Sequence, residues 1–372
     1  MIETTTLVDQ NCHGVLRTEL GLGTFEAQLG RTAGPPAAGT TFFDTQTGFA
    51  VRRWCPPLLG LEPHTSPAGY LARRRELGVL EAGRRLLRGT GITTYLVDTG
   101  LPGDLTGPEE IAAAGAAEAR EIVRLELLAQ QVADTSGTVD SLLANLAHAV
   151  HTAAGSAVAF VSVTALRHAA APASEPPGAG EVRAAAGRWL TRRRVGGRLT
   201  DPVLLRHLLW TAVATGLPLQ LHAGGGAEEC RGVCSGGGPA QIAGFAAATA
   251  GLGTDLVLLY GRPYHRHAAR LAGAYPHVYV DLGPALAHTG ARAADVLAEV
   301  LELAPFGKLL YSSGARGLPE LHVVGARVFR QALTRVLGGW AADGSWAVAD
   351  AQRVAEMIAS GNARRVYGLD GM

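Results

Sequence analysis

Leu219-Gln220-Leu221-His222-Ala223-Gly224-Gly225-Gly226 is an apolar run that ends in one histidine and then three glycines. It reads as a buried strand that delivers a single imidazole to a loop whose backbone can come close to a ligand. Counting outward, short strands are predicted before it over 4–13, 93–98, 123–129 and 157–163, and after it over 256–260, 277–281 and 308–313. The opening stretch is then the fifth of eight. Helical patterns separate the strands, over 66–88, 108–119, 139–153, 181–193, 202–215, 239–249, 265–274 and 291–303, and two more close the chain over 319–337 and 348–359. Ser66 is placed to cap the first of these, with Pro67 in its first turn and Gly89 as its stop.

Eight apolar strands alternating with helices predict an α/β fold, a (β/α)8 TIM-type barrel with extra C-terminal helices. The strands are continuous apolar runs, as parallel strands buried on both faces require. An open doubly wound sheet is the competing architecture, but no Gly-x-Gly-x-x-Gly follows the first strand. One domain over 1–372 is expected. A long insertion over 24–63, read as loop and short helix, is expected to cover the barrel mouth, because so long a connection is usually functional.

The net charge is +1 and the arginines are spread, so nucleic acid is not an expected partner. Hydrophobic residues make up 47% and charged residues 17%, which suits a large core. No run approaches the length of about 18 apolar residues that a membrane span needs. The N-terminal residues lack the basic and apolar regions of a signal peptide. The four cysteines (Cys12, Cys55, Cys230 and Cys234) do not form a disulfide framework, and a cytoplasmic location is expected. The one lysine, Lys308, is the sole residue available for lysine-based covalent chemistry.

In a barrel of this kind, the C-terminal ends of the strands face the active site. Those ends carry Asn11 and His13, Asp98, Glu126, Val161, His222, Tyr260, Asp281 and Gly314. Asn11 and His13 are two apart and share a face, while Cys12 points the other way as a small buried hydrophobe. Two histidines at strand ends can converge across a mouth.

The sequence here resembles the amidohydrolase superfamily, in the branch sometimes fused to a glutamine-synthetase-like domain. The resemblance covers nearly the whole chain. It rests on Asp9-Gln10-Asn11-Cys12-His13-Gly14, Arg52-Arg53-Trp54-Cys55-Pro56, Leu96-Val97-Asp98-Thr99-Gly100 and Glu121-Ile122-Val123-Arg124-Leu125-Glu126, then on Leu219-Gln220-Leu221-His222-Ala223-Gly224. It continues through Tyr275-Pro276-His277-Val278-Tyr279-Val280-Asp281, Lys308-Leu309-Leu310-Tyr311-Ser312-Ser313 and Asn362-Ala363-Arg364-Arg365-Val366-Tyr367-Gly368-Leu369.

The resemblance implies a metal held by a His-x-His pair on the first strand, a histidine on the fifth and usually one on the sixth. An aspartate ending the eighth strand carries protons, and some members add a lysine on the fourth. This chain keeps His13 and His222. It has Asn11, Val161, Tyr260 and Gly314 at the other positions. A catalytic zinc takes three protein ligands and a water, so the inherited metal site is expected to be lost. Cys230 and Cys234, with Glu228 and Glu229 beside them, are the alternative by which a site with His13 and His222 could be rebuilt for zinc or manganese.

The first functional expectation is a metal-free enzyme, a hydrolase or lyase, acting at a carbon–nitrogen bond of a small polar, carboxylate-bearing substrate. His13 and His222 are its base and positioner, and Tyr260 its acid or oxyanion donor. Asn11, Arg53, Glu126 and Arg167 are the substrate-binding candidates, Arg53 or Arg167 serving as carboxylate clamp. The alternatives are a non-catalytic descendant that binds a metabolite or protein partner, and a hydrolase with the rebuilt metal site. A homo-oligomer is compatible with all three.

Overall fold

The strand pattern folds as eight parallel strands in sequential order: β1 Val8–Cys12, β2 Thr94–Asp98, β3 Glu118–Arg124, β4 Ala159–Ser162, β5 Leu219–His222, β6 Leu256–Leu259, β7 Val278–Asp281 and β8 Leu309–Leu310. The computed structural model describes residues 2–4, 6–30, 36–163, 174–223, 242–259 and 263–370. The seam between β8 and β1 is bridged by Gln10 N donating to Tyr311 O at 3.1 Å, Gly314 N to Asn11 O at 3.1 Å and His13 N to Ala315 O at 2.8 Å. The sheet thereby closes into a (β/α)8 barrel. Val8, Leu96, Ile122, Val161, Val257, Leu259, Tyr279 and Leu310 fill its interior, while the alternate side chains pack against the surrounding helices.

The first strand carries an irregularity. Asp9 pairs with Tyr95 and Cys12 with Val97, so Gln10 and Asn11 together oppose Leu96. This is a bulge, two residues against one. Both amides contact Gln220 inside the barrel, where Asn11 Nδ2 donates to Gln220 Oε1 at 2.8 Å and Gln220 Nε2 donates to Gln10 Oε1 at 2.9 Å. Tyr367, just beyond the helix Asn362–Val366, joins them. Its hydroxyl donates to Gln10 Oε1 at 2.6 Å and accepts from Gln220 Nε2 at 2.8 Å.

The sequence misplaces one strand. A strand expected over 123–129 lies instead at Glu118–Arg124, and Leu125–Asp134 is a helix. The strand is rich in charge and its first four residues are exposed or half-buried, so it lacks an apolar run. The stretch after it buries Leu125, Ala129 and Ala133 at helical spacing. Glu126 consequently sits in the first turn of a helix. The helix expected over 66–88 divides into Pro67–Leu77 and Val79–Arg88 at Gly78, whose φ of 76° breaks the helical path. A further helix, Gly283–Thr289, follows β7 directly.

The described part of the insertion is held by aromatic packing and capping. Phe25 stacks on Phe43 with centroids 5.8 Å apart, and Tyr70 meets Phe25 edge-on. Thr45 caps the helix Gln46–Trp54 by accepting from Gly48 N at 3.0 Å, a contact worth about 1 kcal/mol. That helix packs on Gly283–Thr289 and on the long helix Pro319–Ala342. Arg74 reaches the same long helix, donating through Nε to the buried Glu320 at 3.0 Å, and Tyr70 donates to the same carboxylate at 2.8 Å. Among the described residues no helix is long and apolar enough to cross a membrane.

Candidate functional site

The C-terminal ends of β1, β2, β3, β5 and β7 bring His13, Asp98, Arg124, His222 and Asp281 to one end of the barrel. His13 is 4% exposed and His222 8%. The His13 ring is anchored through Nδ1, 3.0 Å from the carbonyl oxygen of Asp98 and 3.7 Å from its carboxylate. A carbonyl oxygen only accepts, so Nδ1 carries the proton and the lone pair belongs to Nε2. Asp98 is in turn hydrogen-bonded and ion-paired to Arg124 and accepts from Gly100 N at 2.7 Å. Gly100 lets Arg124 lie close, since a Cβ there would collide with the arginine side chain.

The electrostatics of this trio follow from burial. Burial pushes the His13 imidazole down from its ordinary value. The Asp98 charge opposes that shift and the Arg124 charge adds to it, leaving the ring biased toward neutral. Burial would raise Asp98. The His13 and Arg124 charges, with the hydrogen bonds from Arg124 and Gly100, reverse that and hold it below the usual range.

Asp281 has the opposite setting. It faces the interior at the end of β7, as Tyr279 does two residues earlier. Its Oδ1 accepts from Gly283 N at 3.1 Å. Ser312 and Gln10 face it, but Oδ2 forms no hydrogen bond of normal geometry. Burial pushes it up to about 6, helped by the Asp9 charge and only partly offset by the Gly283 N–H and by Ser312 and Gln10. Gly283 fits because it has no side chain, as a Cβ would collide with the Ser312 carbonyl oxygen.

Several buried polar atoms near this end lack partners among the described residues: Asn11 Oδ1, Gln10 Nε2, Arg124 Nε, Asp281 Oδ2 and Ser312 Oγ. Native interiors rarely leave such atoms unmet, and their gathering marks a place suited to a polar ligand.

The expected residues fall into three groups. His13, Asn11 and His222 lie together at the mouth, but Asn11 commits its amide nitrogen to Gln220. Glu126 is a tether, its Oε1 accepting from Ser162 Oγ at 2.6 Å and Val163 N at 3.0 Å to fasten the start of its helix to the end of β4. Arg53 is exposed, with its guanidinium 4.2 Å from the Trp54 ring centre, and no hydrogen bond or ion pair joins it to the mouth among the described residues. The ring face captures it instead. Tyr260, Arg167, Cys230 and Cys234 lie outside the described residues. Arg124 was not among the expected site residues, and Asp281 was placed at a strand end without a role. The signal for Asp281, a carboxylate ending an apolar strand, was visible. Arg124 was hidden by the misplaced third strand.

The inherited metal does not fit what is described. Among the described residues, only Asp9, Cys12 and His322 bring three ligand-type atoms within 4.8 Å of one another. They lie on the outer side of β1, where Asp9 accepts from Ser313 N at 2.7 Å and Ser313 Oγ at 2.5 Å. Cys12 donates to Leu96 O at 3.5 Å, and burial pushes its thiol well up. This cluster fastens β1, β8 and the helix Pro319–Ala342 together. At the mouth, Gly314 offers no side chain and Val161 only hydrocarbon, and among the described residues no third His, Cys, Asp or Glu joins His13 and His222 at ligand distance.

A family model described as amidohydrolase matches residues 113–369. A curated relative, the protein fluG of Emericella nidulans, is 34% identical over 155 residues; the match covers 41% of this chain and 18% of that protein's length. A crystal structure from Lactobacillus casei, described provisionally as a metal-dependent hydrolase, superposes with a TM-score of 0.84 at 23% identity, over 99% of this chain and 96% of that one. The uronate isomerase of Thermotoga maritima superposes with a TM-score of 0.61 at 12% identity, over 97% of this chain and 94% of its own. At these identities the two structures speak for the fold.

Proposed function

Because this chain belongs to the amidohydrolase family, we propose that it is an enzyme of that family whose chemistry has moved from the metal to the side chains. It acts on a carbon–nitrogen bond of a small polar, carboxylate-bearing substrate by metal-free acid–base catalysis. The observation that supports this reading is the His13 tautomer. An imidazole buried, biased toward neutral and tethered through Nδ1 to Asp98 presents Nε2 as a base. In this reading His13 Nε2 takes a proton from the attacking water, and His222 orients the substrate from across the mouth. Arg124, inside the barrel with Nε unpaired, replaces Arg53 as the group that meets a substrate carboxylate. Tyr260 keeps its place in the proposal as an oxyanion donor at the end of β6.

The test joins metal analysis to turnover. Protein purified without chelator should carry well under one equivalent of zinc or manganese. It should hydrolyse members of a panel of N-acyl amino acids, lactams and cyclic imides, with rates unchanged by chelator. His13→Ala should lower kcat by about 10²–10⁴. Stoichiometric tight metal, or activity lost to chelator and restored by zinc, would overturn the metal-free reading in favour of a site rebuilt through Cys230 or Cys234. Retained binding with no turnover across the panel would favour the non-catalytic reading, which the commitment of Asn11 to an internal amide network also suits.

A further inference from the structure

We propose that Asp281 is the proton-donating carboxyl of the barrel mouth, standing in for the carboxylate that Gly314 cannot supply. It ends β7 facing the interior, and its Oδ2 faces Ser312 and Gln10 without a hydrogen bond of normal geometry. The inference rests on the metal-free reading above and deepens it by assigning the acid.

Geometry carries the argument. A general acid needs an oxygen inside the site that no cation or backbone N–H holds in its ionised state. Asp98 fails that requirement, because Arg124 and Gly100 occupy its oxygens. Glu126 is set aside by its place, in the first turn of a helix that its carboxylate ties to Ser162 and Val163 at the end of β4. Asp281 has one oxygen on the Gly283 N–H, while the other faces only the Ser312 hydroxyl and the Gln10 amide, with no hydrogen bond of normal geometry. The groups facing it from each neighbouring element are Gln10 and the Asp9 charge from β1, Ser312 from β8, Gly283 from the following helix and the Tyr367 phenol from the chain's last helical turn. None is a cation, and the Gly283, Ser312 and Gln10 hydrogen bonds favour the anion less than burial and the Asp9 charge oppose it. His13 and Asp281 are thus moved in opposite directions by their surroundings, the base toward its neutral form and the acid toward its protonated form. Such a divergence separates acid from base when both serve one reaction.

The protons balance. For amide hydrolysis, water loses a proton to His13 Nε2 as its oxygen bonds to the carbonyl carbon. The carbon–nitrogen bond then breaks, and the nitrogen takes its proton from Asp281. The His13 proton returns through solvent to the Asp281 anion, which restores both groups.

Two measurements decide it. Infrared difference spectra between pH 5 and pH 8 should show a protonated carboxyl C=O band at the acid end that is missing from Asp281→Asn. No such band would overturn the assignment without any need for turnover. With a panel substrate, the wild-type kcat should fall at high pH as Asp281 ionises and at low pH as His13 protonates. Asp281→Asn should lower kcat about hundredfold, leave KM within threefold and remove the alkaline limb. Full activity in Asp281→Asn, with His13→Ala inactive, would overturn the acid and leave the base standing. Full activity in His13→Ala would instead overturn the reading on which this rests.

Discussion

His13 and Asp98 meet twice, at the Asp98 carbonyl 3.0 Å from Nδ1 and at its carboxylate 3.7 Å away. The backbone contact fixes the tautomer, while the side chain supplies charge and is itself fixed by Arg124. Orientation and electrostatics at the base are therefore carried by different atoms of one residue, and a side-chain substitution separates them.

Asp98→Asn should leave the His13 tautomer in place but strand the Arg124 guanidinium. Breaking a buried pair in this way costs about 3–5 kcal/mol, readable by urea denaturation at pH 7. The sign with pH follows from the lowered carboxyl. An acid whose folded pKa lies below its unfolded value contributes stability above the unfolded value and loses it as pH falls through the folded one. The gap between wild type and variant should therefore shrink below about pH 4.

Asp281 carries the reverse sign. Its folded pKa of about 6 lies above the ordinary 3.8, so the native state binds more protons across that window and its stability declines as pH rises through it. Asp281→Asn should be more stable than wild type at pH 8, by on the order of 2 kcal/mol, and nearly equal to it at pH 4. Thermal denaturation at the two pH values checks this, and equal differences at both would count against it.

The Arg74–Glu320 pair joins the 67–77 helix to the 319–342 helix, and both groups are almost fully buried. Arg74→Met alone should destabilise by about 3–5 kcal/mol, because Glu320 is left charged and enclosed. The double substitution Arg74→Met with Glu320→Leu should recover much of that loss. A double-mutant cycle in guanidinium gives the coupling directly.

Tyr367→Phe removes the hydroxyl that serves both Gln10 and Gln220. Leaving these amides short of a partner should cost about 1–3 kcal/mol, measured as a shift in the denaturation midpoint at constant slope.

Cys12 and Cys55 should resist a thiol reagent in the native protein, since both are buried and burial raises both thiols. Testing this in a Cys230→Ser, Cys234→Ser background isolates them. Fast labelling before unfolding would show that the outer cluster at Cys12 is open.

The barrel was legible because β2 and β4 to β8 lie in short, mainly apolar runs, and parallel strands buried on both faces produce that signature. β3 broke the rule: its first four residues are exposed or half-buried, and Glu118, Arg120 and Glu121 erase the pattern. That one shift hid Arg124, which lies at the strand's true end, and made Glu126 look like a strand-end carboxylate. His13 and His222 were readable from position alone. The settings of Asp98 and Asp281 were not. Which carboxyl meets an arginine and which meets only a backbone N–H depends on neighbours that arrive from other strands. Arg53 looked like a clamp because its neighbours in sequence fit a motif, yet the adjacent Trp54 ring holds it.

The extra residue in β1 has one more consequence. Side chains in a strand alternate, so Val8 facing inward would ordinarily place Cys12 inward and His13 outward. With Gln10 and Asn11 together opposite Leu96, the count shifts by one, and the imidazole enters the barrel while the thiol leaves it. The parity of the first strand thus decides which chemistry the mouth receives. A strand of the same length without the bulge would deliver sulfur there instead of nitrogen, whereas deleting residue 10 or 11 would regularise the strand and keep the imidazole inside.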